Sequence, residues 1–249
     1  MHRIICLILG YALGLIQTGY LVGRAKGIDI RNYGSKNAGT TNVLRTMGAK
    51  YGVLVLLGDA LKCIIAVLIT KAVFISSDPD ILCLLMLYSA AGVILGHNFP
   101  FYMHFKGGKG IAATAGLAIS YCFQIKHGWV FAGIGLIVFF SVFFITHYVS
   151  LGSILGYTWV FVCAIIMGEM GAYGFPEGSN RALLTEYYAV MLILSLMAII
   201  RHKDNIKRLI AGNERKTYLK GKPEIDVDNK TDDKTENKKD DTEENTSDK

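Results

Sequence analysis

Seven long apolar segments divide this chain and limit its fold more than any other feature of the sequence. A helix that crosses a bilayer needs about 17–25 largely apolar residues, and 52% of the 249 residues are hydrophobic. The candidate spans cover residues 4–23, 51–75, 81–102, 111–125, 129–148, 154–169 and 182–200. We therefore predict an all-α, polytopic membrane protein with about seven transmembrane helices. The fourth and sixth segments are short, which leaves five or six crossings if they are re-entrant.

The distribution of Lys and Arg between the short loops predicts the orientation of these spans. The loop 24–50 carries six cations, and the loop 103–110 and the segment after residue 200 are also basic. Residues 76–80 hold two acids and no cation. Because short cytoplasmic loops carry the excess of Lys and Arg, we predict that the basic segments and the C-terminus are cytoplasmic. An odd number of spans then places the N-terminus outside.

Residues 220–249 differ from the rest of the chain in composition. They contain seven Lys and eleven Asp or Glu, so their formal charge is −4, whereas the whole chain carries +6. Such a segment cannot bury enough apolar area to offset its chain entropy. We predict an integral membrane domain over residues 1–219 and a disordered, charged cytoplasmic tail over residues 220–249.

The cysteines and the basic body of the chain exclude several classes of site. Five cysteines all lie in apolar stretches without a C-x-x-C pair, which predicts small buried hydrophobes rather than disulfides or a zinc site. They are Cys6, Cys63, Cys83, Cys122 and Cys163. The positive charge is assigned to membrane topology and an anionic ligand. Nucleic acid is not expected, because no aromatic-interleaved basic patch is present.

Three polar blocks interrupt the apolar segments, and each combines fixed cations with hydrogen-bonding side chains. They are residues 34–45, 96–110 and 201–208. Two of them contain glycine, which lets backbone N–H groups approach an anion while Lys or Arg neutralises its charge. All three fall on the cytoplasmic side of the predicted topology. We interpret them as one composite site for a phosphate-bearing ligand at the membrane surface.

The first block has features of an anion-binding helix start. Thr40, Thr41 and Asn42 precede an apolar pair, and Thr or Asn commonly caps a helix whose first N–H groups then face an anion. Arg45, one turn further, is placed to hold phosphate oxygens as a fork. A polar loop followed by an interfacial helix explains the same residues equally well.

The second block places two lysines among three glycines just before an apolar helix. These residues are Lys106, Gly107, Gly108, Lys109 and Gly110. The arrangement is typical of an anion nest, although it lacks the G-x-x-x-x-G-K-[ST] pattern of a nucleotide-binding loop. A positive-inside loop with flexible glycines explains it nearly as well.

The third block follows the last span and contains polar residues that a basic stop-transfer segment does not require. His202 and Asn205 lie on one face if the helix continues past the membrane, while the Arg and Lys residues around them also fit a juxtamembrane role. His97 in the second block, standing alone near a helix end, is more often structural than catalytic.

Two further patterns lie inside the spans. Asp59 and Lys62 are three residues apart in the second span, where ionisable groups are usually paired or functional, so they are expected to pair or to act directly. Small residues four apart would permit close helix packing. The pairs are Gly10/Gly14, Gly92/Gly96 and Gly152/Gly156.

Taken together, the blocks resemble the bacterial acyl-phosphate:glycerol-3-phosphate acyltransferases, the PlsY family. The resemblance covers about residues 4–216 and rests on the order and spacing of its fragments. They are Gly34-Ser35-x-Asn37 with Thr41-Asn42-Val43-Leu44-Arg45, Asp59-x-x-Lys62, Gly96-His97 with Phe105-Lys106-Gly107-Gly108-Lys109-Gly110, Ser150-Leu151-Gly152, and Arg201-His202-x-x-Asn205-Ile206-x-Arg208-Leu209 with Glu214. Cys63 and Lys36 stand where family members often have glycine, and the charged tail is not part of the pattern.

The resemblance implies a multi-pass enzyme of the bacterial cell membrane with its active site on the cytoplasmic side. It would transfer an acyl group from acyl phosphate to the 1-hydroxyl of sn-glycerol 3-phosphate. The products would be lysophosphatidic acid and phosphate, in the first acylation step of phospholipid synthesis. The implied partners are membrane lipid and the soluble phosphate acyltransferase that makes the donor, with no cofactor and no metal.

The resemblance also implies roles for individual residues. The implied catalytic residues are His202, Asn205, Lys106, Ser35 and Arg45. The implied substrate-binding residues are Asn37, Thr41, Asn42, His97, Gly107, Gly108, Lys109 and Gly110. Structural support is expected from Asp59, Lys62 and Glu214. Because the donor is already activated, no covalent nucleophile is required; His202 or the donor's own phosphate would act as the general base.

Other classes fit the sequence less well. An acyltransferase that uses acyl-CoA or acyl carrier protein commonly has an H-x-x-x-x-D motif, and none of the six histidines is followed by Asp at that spacing. A CDP-alcohol phosphotransferase needs a carboxylate-rich metal motif, which is also missing from the sequence. The alternative outside enzymes is a transporter for an organic phosphate. Transporters usually bind near the midplane of an internal repeat, and no repeat is visible here.

Overall fold

The computed structural model describes residues 1–76, 79–124, 127–171, 181–219 and 221–228. Within these ranges every regular element is helical, which confirms the predicted all-α class. The α-helices are α1 His2–Gly14, α2 Thr18–Ala25, α3 Thr40–Met47, α4 Ala49–Phe74, α5 Pro79–Asn98, α6 Ile111–Gln124, α7 Gly128–Thr146, α8 Val149–Glu169, α9 Arg181–Arg201 and α10 Lys203–Ile210. Single 3-10 turns cover Ile30–Asn32 and Phe101–Met103.

Six helical segments are long and apolar enough to cross a membrane. They are His2–Ala25, Ala49–Phe74, Ile81–Met103, Gly128–Thr146, Val149–Glu169 and Arg181–Arg201. The sixth predicted span is thus not short, because its helix begins at Val149 rather than at residue 154. The fourth remains short, since α6 has only 14 residues.

One contact joins the two ends of the chain segment that runs from α6 to α9. Arg201 at the end of α9 donates to the carbonyl groups of Gly107 and Gly108, which precede α6. The two ends of this segment therefore lie on the same side of the bundle.

The described chain forms two compact units. The first unit comprises residues 1–17 and 56–218, and the second comprises residues 18–55 together with the described residues from 219 onwards. Helix α5 is the most buried span of the first unit. Its side chains Leu84, Leu87 and Ile94 are fully buried, in one apolar cluster with residues of α4 and α9 that include Val67 and Tyr187.

Helices α1 and α5 cross at two glycine pairs, whose small residues four apart permit the close approach. A Cβ atom on Gly10 would overlap the carbonyl oxygen of Ser89, and one on Gly96 would overlap that of Tyr11. The backbones of the two helices are therefore in direct contact. The pair Gly152/Gly156 behaves differently, because a Cβ atom on Gly156 would meet nothing within 4 Å.

The second unit contains α2, α3 and a segment of the chain beyond residue 219. Composition predicts disorder from residue 220, yet the N–H groups of Glu224 and Ile225 donate to the carbonyls of Arg45 and Thr46 at 3.1 and 2.9 Å. Residues 221–228 therefore have a defined conformation, and residues 229–249 lie outside the described residues. All five cysteines are free; four of them are buried as predicted, whereas Cys122 is half-buried.

We expect Gly10→Ala to lower the free energy of unfolding by about 1–3 kcal/mol, because the added methyl group must push α1 away from α5. Gly156→Ala is the matched control. It adds the same methyl group to a helix in open space, where alanine is favoured over glycine. Chemical unfolding of the purified protein in detergent would measure both variants, and equal stabilities would contradict the direct backbone contact.

Candidate active site

The glycine loop of the second block, residues 104–110, is held by the end of α5. The N–H of Gly107 donates to the carbonyl of Asn98 at 3.2 Å, and that of Gly108 donates to the carbonyl of His97 at 3.0 Å. The last carbonyls of a helix have no partner within the helix. The N–H groups of the loop therefore satisfy two of these carbonyls at the end of α5. This corrects the expectation that both N–H groups face a phosphate.

Arg201 fixes the other side of the same loop. Its Nη2 donates to the carbonyls of Gly107 and Gly108 at 2.8 and 2.7 Å, and its guanidinium lies 5.3 Å from the centre of the Phe99 ring. The sequence explained Arg201 as a stop-transfer cation and gave it no role in the site. Its planar fork suits two neighbouring carbonyls, which a lysine would contact less well.

A buried ionic cluster lies next to this loop. Lys62 Nζ donates to Asp59 Oδ1 at 2.9 Å and to the carbonyl of Ile16 at 2.6 Å. It also lies 2.9 Å from His97 Nδ1. Because an ammonium only donates, His97 Nδ1 must accept and the proton must be on Nε2. A Cβ atom on Gly108 would overlap that Nε2, so the imidazole fills the space under the loop.

His202 lies between α9 and α10, and its imidazole forms a hydrogen bond to the last turn of α9. Its Nδ1 is 2.8 Å from the carbonyl of Ala198. A carbonyl can only accept, so Nδ1 carries the proton and Nε2 keeps its lone pair. Burial, aided by the charge of Lys109, lowers the pKa of His202 to about 4. As the pH falls from about 6.5 towards 4, the unfolded chain binds this proton first, so the folded state loses stability.

Glu214 is the centre of a hydrogen-bond network that joins the third block to α8. Oε1 accepts from Asn205 Nδ2 at 2.7 Å and from Ser150 Oγ at 2.9 Å, and Oε2 accepts from Arg208 Nε at 2.7 Å. Burial alone would raise the pKa of Glu214, but these three hydrogen bonds hold the pKa below its ordinary value. The carboxylate is therefore ionised and fixed at neutral pH.

The same network reaches the lysine of the glycine loop. Asn205 Oδ1 accepts a hydrogen bond from Lys109 Nζ. Asn205 thus joins Lys109 to Glu214 through its two amide atoms, and its amide orientation follows from these partners. Lys106, three residues earlier in the loop, is exposed. The first unit therefore combines a fixed cation, an exposed cation and a neutral histidine.

The polar block of the second unit is organised by Asn42. Its Oδ1 accepts from the backbone N–H and the hydroxyl of Ser35 at 2.7 and 3.0 Å. Its Nδ2 donates to the carbonyls of Ile30 and Tyr33, both at 3.1 Å. Gly34 has a φ of 54°, and a Cβ atom there would overlap Asn42 Oδ1. Asn42 therefore holds the turn that presents Ser35.

The helix start in this block differs from the predicted cap. The N-cap residue of α3 is Gly39, without a side-chain cap, and Thr40 and Thr41 form the first helical residues. Asn37 lies before the helix start, and its Oδ1 accepts a hydrogen bond from the N–H of Gly39 at 2.9 Å. Arg45 lies in the last turn of α3. The side chain of Asn42 thus holds the turn before α3 and does not cap the helix.

No group of three His, Cys, Asp or Glu residues placed to hold a metal ion occurs in the described part of the chain.

Comparison with known proteins shows how this chain is related to others. The sequence profile of the family described as glycerol-3-phosphate acyltransferase matches residues 4–212. A glycerol-3-phosphate acyltransferase of Thermosipho melanesiensis is 37% identical over 221 residues, which are 89% of this chain and 96% of that protein. One of Thermotoga petrophila is 39% identical over 213 residues, covering 85% and 95%.

Solved structures agree with these relatives. The crystal structure of PlsY (YgiH), an integral membrane glycerol 3-phosphate acyltransferase in its glycerol 3-phosphate form, has a TM-score of 0.70 and 30% identity. The match covers 88% of this chain and 96% of that one. The lysophosphatidic acid form of PlsY gives a TM-score of 0.67. On sequence and on structure, the chain belongs to the glycerol-3-phosphate acyltransferase family.

Proposed function

We propose that this protein transfers an acyl group from acyl phosphate to the 1-hydroxyl of sn-glycerol 3-phosphate. The products are lysophosphatidic acid and inorganic phosphate. The observation that carries the proposal is the network in which Glu214 and Asn205 hold Lys109 near the neutral imidazole of His202. The acceptor and the product are those of the two PlsY crystal structures that this chain resembles.

We choose acyl phosphate as the donor because the protein then needs no residue that activates the acyl group. An acyl phosphate is already activated, so the acceptor hydroxyl can attack the carbonyl carbon directly. The bond between that carbon and the phosphate oxygen then breaks, and phosphate leaves with the bonding electrons. The protein needs only to position two anions and to stabilise the charge on the carbonyl oxygen and leaving group.

The cations and amides described above are suited to this task. We assign Lys106 and Lys109 in the first unit, and Arg45 in the second, to phosphate groups. Ser35 would donate to a phosphate by turning its hydroxyl hydrogen away from Asn42 Oδ1. Asn37, Thr41 and Asn42 shape the turn and the helix start in the second unit. His97, Gly107 and Gly108 set the course of the loop in the first unit, and Gly110 is assigned to the bound phosphate. Asp59 and Lys62 support that loop through His97.

His202 is the side chain best placed to take the proton of the attacking hydroxyl. Its Nδ1 hydrogen bond to Ala198 leaves Nε2 as the acceptor. A pKa of about 4 keeps the imidazole neutral at physiological pH but makes it a weak base. The phosphate of the donor therefore competes with His202 for this role.

We place the protein in the cell membrane, with the site on the cytoplasmic side and the N-terminus outside. The excess of Lys and Arg in the first loop and after α9 supports this orientation. Its partners are then membrane lipid and the soluble phosphate acyltransferase that supplies the donor. Neither a cofactor nor nucleic acid enters the proposed reaction.

The donor assignment predicts the outcome of a paired assay with labelled glycerol 3-phosphate. We expect the purified protein to form lysophosphatidic acid from palmitoyl phosphate and not from palmitoyl-CoA. Lys106→Ala should lower kcat/KM by about 100-fold, the scale of losing one charge-stabilising group. Lys216→Ala, which changes an exposed lysine outside the loop, is the matched control.

The paired assay also separates the competing functions. Product from palmitoyl-CoA alone would overturn the proposed donor. No product from either donor, with folded protein that carries glycerol 3-phosphate into liposomes, would identify a transporter instead.

The general base is tested by His202→Gln combined with a pH profile. If His202 accepts the proton, kcat should fall by at least about 100-fold, as is usual for loss of a general base. In the unaltered protein His202 should add no ionisation near pH 6.5 to the profile of kcat/KM, because burial keeps its pKa near 4. The ionisation of the substrate phosphate, whose second pKa is about 6, should appear equally in both proteins. His2→Gln is the control. Nearly full kcat in His202→Gln would assign the proton to the donor phosphate.

The network around Glu214 predicts a large effect from a nearly isosteric change. Glu214→Gln keeps the size of the side chain but removes the charge that Arg208 and Asn205 contact. We expect kcat/KM to fall about tenfold or more, since charged hydrogen bonds contribute about 1.5–3 kcal/mol. Glu169→Gln is the control, because its ion pair with Arg181 is exposed. Equal activities of the two variants would argue against the network.

A further inference from the structure

The segment Pro223–Asp228, which we call the strap, runs along the end of α3 within the second unit. The N–H of Glu224 donates to the carbonyl of Arg45, and the N–H of Ile225 donates to the carbonyl of Thr46. Both carbonyls belong to the last turn of α3, where a helix has no internal donors left. The strap therefore acts as the C-terminal cap of α3, although it is more than 170 residues away in sequence.

Side chains anchor the strap in an extended register. Ile225 is half-buried and Val227 is only 2% exposed, whereas the residues between and beside them face outwards. Asp228 closes the segment with an ion pair to Lys26 at 2.7 Å and a hydrogen bond from Tyr51. These bonds lower the pKa of Asp228 below its ordinary value. Because Ile225 and Val227 are covered and their neighbours are exposed, successive side chains of the strap alternate between two faces, as in a strand.

The helix that the strap caps carries two groups of the proposed site. Asn42 in its first turn holds Ser35, and Arg45 in its last turn accepts the hydrogen bond of Glu224 through its own carbonyl. A helix of eight residues is too short to be stable by itself. Its position must come from contacts made by its ends and its buried face.

We propose that the strap is a positioning element for the phosphate-binding residues of α3, and for Arg45 above all. This inference rests on the proposed function, which assigns Arg45 to a phosphate group. The family match ends at residue 212, so the strap lies outside the segment that the family shares. In this chain, a C-terminal extension supplies the hydrogen-bond donors that complete the end of α3.

Ile225→Pro in the full-length chain tests the proposal at one bond. Proline removes the N–H that donates to Thr46 but accepts an extended backbone. Ile225→Ala is the matched control, since it shortens the same side chain and keeps the N–H. Asp228→Asn is a second variant, which loosens the anchor without changing the backbone. Each protein is assayed for KM and kcat with both phosphate-bearing substrates.

We expect Ile225→Pro to raise the KM of a phosphate-bearing substrate about threefold to tenfold, the factor that corresponds to one lost backbone hydrogen bond. The kcat should change by less than about twofold, because bound substrate restores the helix position. Asp228→Asn should give a smaller rise. In an Arg45→Ala background the effect of Ile225→Pro should disappear. An equal effect in both backgrounds, or a loss of kcat alone, would overturn the proposal.

Hydrogen exchange separates a failure of the strap from a failure of the proposed function. If the strap caps α3, Ile225→Pro should speed the exchange of amides in residues 43–48 about threefold to tenfold and leave α8 unchanged. Unchanged exchange in α3 would refute the strap as a cap, whatever the kinetics. Faster exchange in α3 together with full activity of Arg45→Ala would instead refute the phosphate role of Arg45.

Discussion

Carbonyl groups at helix ends are the constraint on which the rest of this structure depends. A helix leaves its last carbonyls without partners inside the helix, and where such an end is buried other backbone or side-chain donors must satisfy them. At the end of α5 the donors are Gly107 and Gly108, whose own carbonyls are then bound by Arg201. At the end of α3 the donors come from residues 224 and 225. The course of the site loops follows from these requirements.

Charge is fixed in the site by a small number of buried acceptors. The carboxylate of Glu214 is held by three donors, so it stays ionised and orients Asn205 towards Lys109. In the proposed reaction this fixed cation meets an anion without a change in conformation, which is the condition for strong electrostatic stabilisation. His202 beside it is kept neutral by the same burial. The same buried environment thus keeps Glu214 ionised and His202 neutral.

Much of this arrangement was predictable because it follows from local pattern. Hydropathy predicted the long apolar helices, the spacing of Gly10 and Gly96 with their partners indicated that helices could pack closely there, and Asp59 with Lys62 was recognisable as a pair. The role of Arg201 was not, since a juxtamembrane cation has a sufficient explanation in topology. The strap was missed because its average composition resembles disorder. The alternation of Ile225 and Val227 was the only local signal of its extended, half-buried conformation.

The short α6 has a consequence for how the protein sits in lipid. Fourteen residues rise only about 21 Å at 1.5 Å per residue, while the hydrocarbon layer is about 30 Å thick. A helix of this length either ends inside the hydrocarbon layer as a re-entrant segment or crosses a locally thinned bilayer. Where it crosses, the lysines of the glycine loop that precedes it are drawn towards the acyl chains. A ligand with a fatty tail can then present its polar end to these cations while the tail stays in the leaflet.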